Sequence, residues 1–192
     1  MALKKWFIVM VGILSLNTSL AQEEIYARNG LLKATATIAP STMLNRKLNN
    51  VYLSGFAEYF FEDHLSVRGD ILWYVDGLDQ QPKFYQQNTA LYFGLFYHPN
   101  RRKNLDPYIG FEPGMMISRL NLKDAQNNAL GFQAIPSVSL HSGLTFYVWK
   151  YFNFYLDIQY IHGNAINLPI KNGRTDEFIF SAGLGFQLNC KK

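Results

Sequence analysis

The residues of this chain with side chains able to do chemistry are few and scattered. Lys33, Glu58, Arg68, Asp70, Glu112, His141, Asp157, Gln159 and Glu177 each stand within a segment whose other residues alternate between apolar and polar. If they share one interior they cannot all pair, because five are acids and two are bases. Water, protonation or a bound cation then has to balance the remainder. A hydrolytic site needs a hydroxyl or thiol within reach of a base. His141 and Ser142 are adjacent, but neighbours on a strand point to opposite faces, which makes them a poor dyad. There is no Cys/His spacing of a metal site, no glycine-rich phosphate loop and no basic helix. We therefore expect no catalytic residue, no metal-ligand set and no cofactor, and we read the nine residues as an inward polar network.

The segments that must position them are strands. In EYFFEDHLSVRGDILWYVDG, residues 58–77, Leu65, Val67, Gly69, Ile71, Trp73 and Val75 share one parity while Ser66, Arg68, Asp70, Tyr74 and Asp76 share the other. A period of two is the signature of a strand with one apolar face. Seven further segments repeat the pattern: KATATIAP after Leu31, VYLSGFAEYF from Val51, TALYFGLFY from Thr89, PYIGFEPGMMI from Pro107, IPSVSLHSGLTFYV from Ile135, FNFYLDIQYI from Phe152 and EFIFSAGLGFQL from Glu177. Stretches of about ten residues suit strands tilted across a bilayer. Pro113-Gly114 inside PYIGFEPGMMI predicts a bulge or bend.

The connections alternate in length. Glu62 to His64, His98 to Leu105 and Val148 to Tyr151 are short, whereas Ser41 to Lys47, Gly77 to Asn88, Arg119 to Gln133 and Gly163 to Thr175 are mostly longer and rich in Asn, Gln, Lys and Asp. This predicts an all-β fold, an eight-stranded antiparallel up-and-down transmembrane β-barrel with both termini on the short-turn rim. Aromatic residues crowd beside the short turns, and we read Tyr59, Tyr97, Tyr108, Trp149, Tyr151, Phe152 and Phe186 as an interfacial girdle, joined by Phe60, Phe61, Phe146 and Tyr147. Trp73 and Tyr74 are candidates for the opposite belt. Leu65, Val67, Ile71, Trp73 and Val75 then face lipid. A soluble lipocalin-like barrel would invert the faces and put Phe178, Phe180 and Leu184 inside.

The ends and the composition agree with export. Lys4 and Lys5 precede an apolar run from Trp6 to Leu16, and Ser19-Leu20-Ala21 fits cleavage before Gln22. Residues 1–21 read as a signal peptide and 22–192 as the barrel. Without Lys4 and Lys5 the chain carries 16 basic against 14 acidic residues, which does not imply nucleic acid. The lone Cys190 makes no internal disulfide.

The leader, EYFFEDHLSVRGDILWYV, HPNRRKNLDPYIGFEPG and EFIFSAGLGFQL together resemble the superfamily of small Gram-negative outer-membrane β-barrels that includes the membrane domain of outer membrane protein A. The resemblance spans the mature chain and implies outer-membrane lipid as surroundings, the barrel-assembly machinery as a partner during insertion, and a monomer. It is weak for activity, since that architecture hosts adhesins, anchors, small channels and lipid-modifying enzymes. One departure is the tail Asn189 to Lys192 after the last strand, where such chains often end on an aromatic residue. QYIHGNAINLPIKNG also resembles the lipid A deacylase barrels, whose penultimate strand carries a His, one spacer, a Ser and then Asn-Ala. His162 and Asn164-Ala165 match in part, but only Gly163 stands between them, so the Ser is missing. The expected function is non-enzymatic, structural or surface-interacting, with the segment 119–133 as the contact surface for an external partner. The alternatives are a small passive cation-preferring channel and a divergent deacylase.

Overall fold

The computed structural model describes residues 28–78, 83–99, 104–121, 131–164 and 174–191. Residues 1–21, the expected signal peptide, lie outside this set. The strands are β1 (Leu31–Met43), β2 (Leu48–Phe60), β3 (Leu65–Leu78), β4 (Tyr85–Tyr97), β5 (Leu105–Leu120), β6 (Phe132–Tyr147), β7 (Phe152–Gly163) and β8 (Glu177–Asn189). Each pairs antiparallel with the next, and β8 returns to β1 to close the barrel. Closure leaves no free edge, which is what a sheet in hydrocarbon requires.

Several strands run beyond the predicted segments on the long-loop side. β1 continues to Met43, β2 begins at Leu48, β4 begins at Tyr85 and β5 reaches Leu120. The apolar face ends where lipid ends, yet Asn49, Asn50 and Asn88 go on pairing through their backbones. The first long-side connection therefore shrinks to 44–47, as short as a turn on the opposite rim.

Every strand turns apolar side chains outward, among them Ile38, Leu53, Trp73, Phe93, Ile109, Leu140, Phe154 and Leu184, all exposed. A band this continuous belongs in lipid rather than water. Phe180 and Leu184 lie on it, which excludes the inverted, lipocalin-like arrangement.

The inward face is tiled by large rings lying over glycines of the neighbouring strand. A Cβ added at Gly110 would lie 2.2 Å from the Phe96 ring, and one at Gly143 would lie 2.3 Å from that of Tyr108. An eight-stranded barrel has an interior just wide enough for side chains, so each ring needs a position with none opposite it.

The register shifts between Val51 and Tyr52 on the β2–β3 ladder and between Tyr85 and Gln87 on the β4–β5 ladder, and pairing lapses in two further stretches. The β4–β5 ladder lapses between Tyr92↔Gly114 and Leu95↔Phe111 with no change of register. Of the bulge or bend expected at Pro113-Gly114, the bulge is absent, since the register is unchanged. Proline lacks the N–H, so the pairing is interrupted rather than shifted. The β1–β8 ladder lapses between Thr35↔Gly185 and Ser41↔Ile179, around Pro40. There the Thr37 hydroxyl donates to the carbonyl of Ala182 at 3.0 Å and that of Thr35 to Leu184 at 3.3 Å.

The girdle divides. Tyr97, Trp149, Tyr151, Phe152 and Phe186 are exposed on the outer face and Tyr59 is half-buried, with Phe61 and Phe146 also exposed. Tyr108 is not part of it. Its ring is buried in the lumen, as are those of Phe60, Tyr147 and, at the other end, Tyr74. Nearness to a turn suggested the belt, but strand parity decides the face: Tyr108 lies an even number of residues from inward Glu112.

Candidate functional site

All nine residues singled out from the sequence point into the barrel and are buried. Eight of them lie between the short-turn rim and the middle of the lumen, and Glu177 lies apart near the long-loop rim.

Starting at the short-turn rim, Leu31, Phe60 and Tyr147 form an apolar floor. Above it Lys33 and Glu58, which face each other across the β1–β2 ladder, are ion-paired at 2.9 Å. His98 joins them, with Nε2 2.9 Å from Glu58 Oε1 and Nδ1 2.9 Å from Asp106 Oδ2. The Ser66 hydroxyl donates to Glu58 Oε1 at 2.6 Å and lies 3.0 Å from His98 Nε2. His98 follows the last residue of β4. Burial alone would lower its pKa, but Asp106 and Glu58 outweigh this and the pKa is raised.

The next level is built on Arg68. Its guanidinium donates twice to Asp70 at 2.8 Å, lies 3.6 Å from Asp157 Oδ1, and stacks over Phe56 with Cζ 3.6 Å from the ring centroid. A planar, bidentate cation stacked on a ring is a role that lysine fills poorly. Asp157 also accepts from the Tyr108 hydroxyl at 2.7 Å and holds His141 Nδ1 at 2.9 Å. The Nε2 of His141 lies 3.0 Å from Glu112 Oε2 and 2.9 Å from Ser139 Oγ, which accepts from the Gln159 amide at 2.9 Å.

Two Ser–His–Asp constellations therefore stand in one lumen: Ser66–His98–Asp106 and Ser139–His141–Asp157. In both, a glutamate competes for the same Nε2 as the serine. Both serines are fully buried among filling side chains. A nucleophile needs room for a reacting carbon next to it, and the geometry here is that of a packed, mutually satisfied network.

The long-loop half of the lumen differs. Tyr52, Leu72, Tyr74, Tyr85, Tyr92, Met116, Ile135, Ile161 and Ile179 pack into one apolar cluster. Glu177 is the carboxylate among them, accepting from Ser41 at 2.5 Å, Asn50 at 2.8 Å and Tyr52 at 3.0 Å. The chain continues as Asn88 donates to the Tyr52 hydroxyl at 3.1 Å and Ser118 to Asn88 at 2.8 Å. This bridge links β1, β2, β4, β5 and β8 without a cation.

His162 sits on the outer face at the long-loop rim, its side chain about half exposed, with Nδ1 2.5 Å from Asp176 Oδ1. Burial works to raise the Asp176 pKa, yet the hydrogen bonds of His162 and Asn45 prevail and it is lowered. Among the described residues no hydroxyl is hydrogen-bonded to His162. His141 and Ser142 point to opposite faces.

Sequence reasoning missed His98, Asp106, Ser66 and Ser139. Parity marks Ser66, Asp106 and Ser139 as inward, each being an even number of residues from an inward member of the same strand. His98 had no such signal, because it falls in a connection.

No curated protein matches this chain. Among solved structures it is similar to the outer membrane protein OprG of Pseudomonas aeruginosa, with TM-score 0.63, 12% identity, and coverage of 85% of this chain and 98% of that one. The N-terminal β-barrel domain of Pseudomonas aeruginosa OprF gives 0.60, 16%, 83% and 98%, and Neisserial surface protein A gives 0.60, 13%, 83% and 96%. At such identities the likeness is one of fold. The family model for the outer membrane protein beta-barrel domain matches residues 8–186. The chain belongs to that family of Gram-negative outer-membrane barrels.

Proposed function

We propose that this protein is a closed, non-enzymatic barrel that serves the outer membrane as a structural and surface-interaction element. The supporting observation is the filled lumen: an ionic network occupies the short-turn half, and the apolar cluster around Tyr52, Leu72, Ile135 and Ile179 occupies the long-loop half. A conduit needs a continuous polar path, and this cluster interrupts it. In this reading residues 1–21 are removed on export, the barrel-assembly machinery inserts the chain as a monomer, and an external partner meets the segment 119–133, of which 122–130 lie outside the described residues. One similar structure, Neisserial surface protein A, is itself named for the cell surface.

Single-channel recording on the inserted protein tests the closed lumen. We expect a silent bilayer. Steady cation-preferring openings, lost in a Glu112→Gln, Asp157→Gln double variant, would replace this reading by the channel.

The deacylase reading has one observation in its favour, the His162–Asp176 pair at the lipid-facing rim. Among the described residues no hydroxyl is hydrogen-bonded to His162. Mass spectrometry of lipid A from cells expressing the protein is expected to show no loss of an acyl chain.

A further inference from the structure

We infer that Asp70, Glu112 and His141 form a binding site for a divalent transition-metal ion of the zinc class in the middle of the lumen. Three strands, β3, β5 and β6, each contribute one ligand atom, and these atoms all lie within 4.8 Å of one another. The His141 Nε2 to Glu112 Oε2 separation is already 3.0 Å, close to the roughly 3.3 Å edge of a tetrahedron with bonds of about 2.0 Å.

The independent observation is Glu112. Its side chain has no exposed surface; Oε2 meets His141 Nε2 at 3.0 Å, and Oε1 has no hydrogen-bond partner among the described residues. Oε1 has no ion-pair partner either among the described residues. A wholly buried carboxylate oxygen with nothing to bind is rare and costly. Glu58, its counterpart one level down, has Lys33, His98 and Ser66 around it. Among the described residues Glu112 has one ion-pair partner, His141, although Asp70 brings a second carboxylate nearby.

The surroundings are those of a metal site. The Nδ1 of His141 is held by Asp157 at 2.9 Å, which fixes the ring and aims Nε2 at Glu112. Asp70 is oriented by the two hydrogen bonds from Arg68, and each of its oxygens keeps a lone pair. With the imidazole neutral and the carboxylates ionised, a divalent cation beside the Arg68 guanidinium would balance Asp70, Glu112 and Asp157. One imidazole with two carboxylates suits zinc and its neighbours better than magnesium or calcium, which prefer all-oxygen sets. Side chains fill the lumen on both sides of the site, so the ion enters while the barrel forms.

The test uses the full chain recovered from outer membranes, unfolded in denaturant and refolded in detergent micelles with either Zn²⁺ or EDTA. Elemental analysis after extensive dialysis is expected to find about one zinc per chain in the wild type and under about a tenth of that in Glu112→Gln. The wild type refolded with zinc should melt at a higher temperature than with EDTA, and Glu112→Gln should melt alike in both. His162→Ala should retain zinc, which separates the site from the exposed His162–Asp176 pair. If Glu112→Gln does not fold, Asp70→Asn replaces it. A wild type that retains no zinc and melts alike in zinc and EDTA overturns the site. So does zinc retained by both Glu112→Gln and Asp70→Asn, or zinc lost with His162→Ala.

Discussion

The two halves of the lumen solve the same problem in opposite ways. Near the short-turn rim, Lys33 and Arg68 meet Glu58, Asp70 and Asp157 in ion pairs, His98 and His141 hold Asp106 and Asp157 through their ring nitrogens, and Tyr108 and Tyr147 close remaining lone pairs. Toward the long-loop rim, isoleucines, methionine and tyrosines fill the space, and the carboxylate of Glu177 is held by neutral donors alone. A buried ion network is costly when one partner is lost, because the other stays charged in a dry place. An apolar fill loses only the contacts of the deleted atoms and the cavity left behind. The short-turn half is therefore brittle to single substitutions, and the long-loop half yields gradually.

The largest effect should come from Arg68→Met, which strands Asp70 and Asp157. We expect a loss of about 3–5 kcal/mol in denaturant unfolding, and the triple variant with Asp70→Asn and Asp157→Asn should regain most of it. A triple variant no better than the single one would break the comparison. In the long-loop half Ile179→Ala, at a position with no exposed surface, should cost about 2–4 kcal/mol, with no rescue by a neighbouring change. Tyr52→Phe keeps the ring but removes the hydroxyl between Asn88 and Glu177. Calorimetry in micelles should show a loss of about 1–3 kcal/mol.

The smallest effect is one of pH. The raised pKa of His98 means that its charged form is favoured in the folded barrel. Its contribution is fully present below the ordinary histidine value of about 6.5 and is lost as pH rises through the folded value. His98→Gln should lose that part of the dependence of the unfolding midpoint on pH, whereas Ile179→Ala should keep it.

Much of the lower half was legible. Lys33, Glu58, Arg68, Asp70 and Asp157 could be placed inward because lipid on one face imposes a period of two on the whole strand. Tyr108 shows where that reading was not followed through, since a ring beside a turn fits a girdle equally well until its parity is counted. His98 shows where no count helps, because a connection has no period. Pairing itself was not legible. Arg68 reaches Asp157 from β3 to β7, and Glu177 finds Tyr52 across β1, and those distances exist only once the sheet has closed.

The sequence by itself determined the strands, their number, the lipid-facing set and the inward charges, because bilayer thickness and strand geometry leave few other patterns. Only the tertiary structure decided that most of the charges gather in one half, that an apolar cluster packs the other, and that Glu112 stands against Asp70 and His141 with an oxygen unanswered. Closure of a narrow barrel makes those choices: it sets which levels of eight strands face one another, and which side chains must share the same few ångströms.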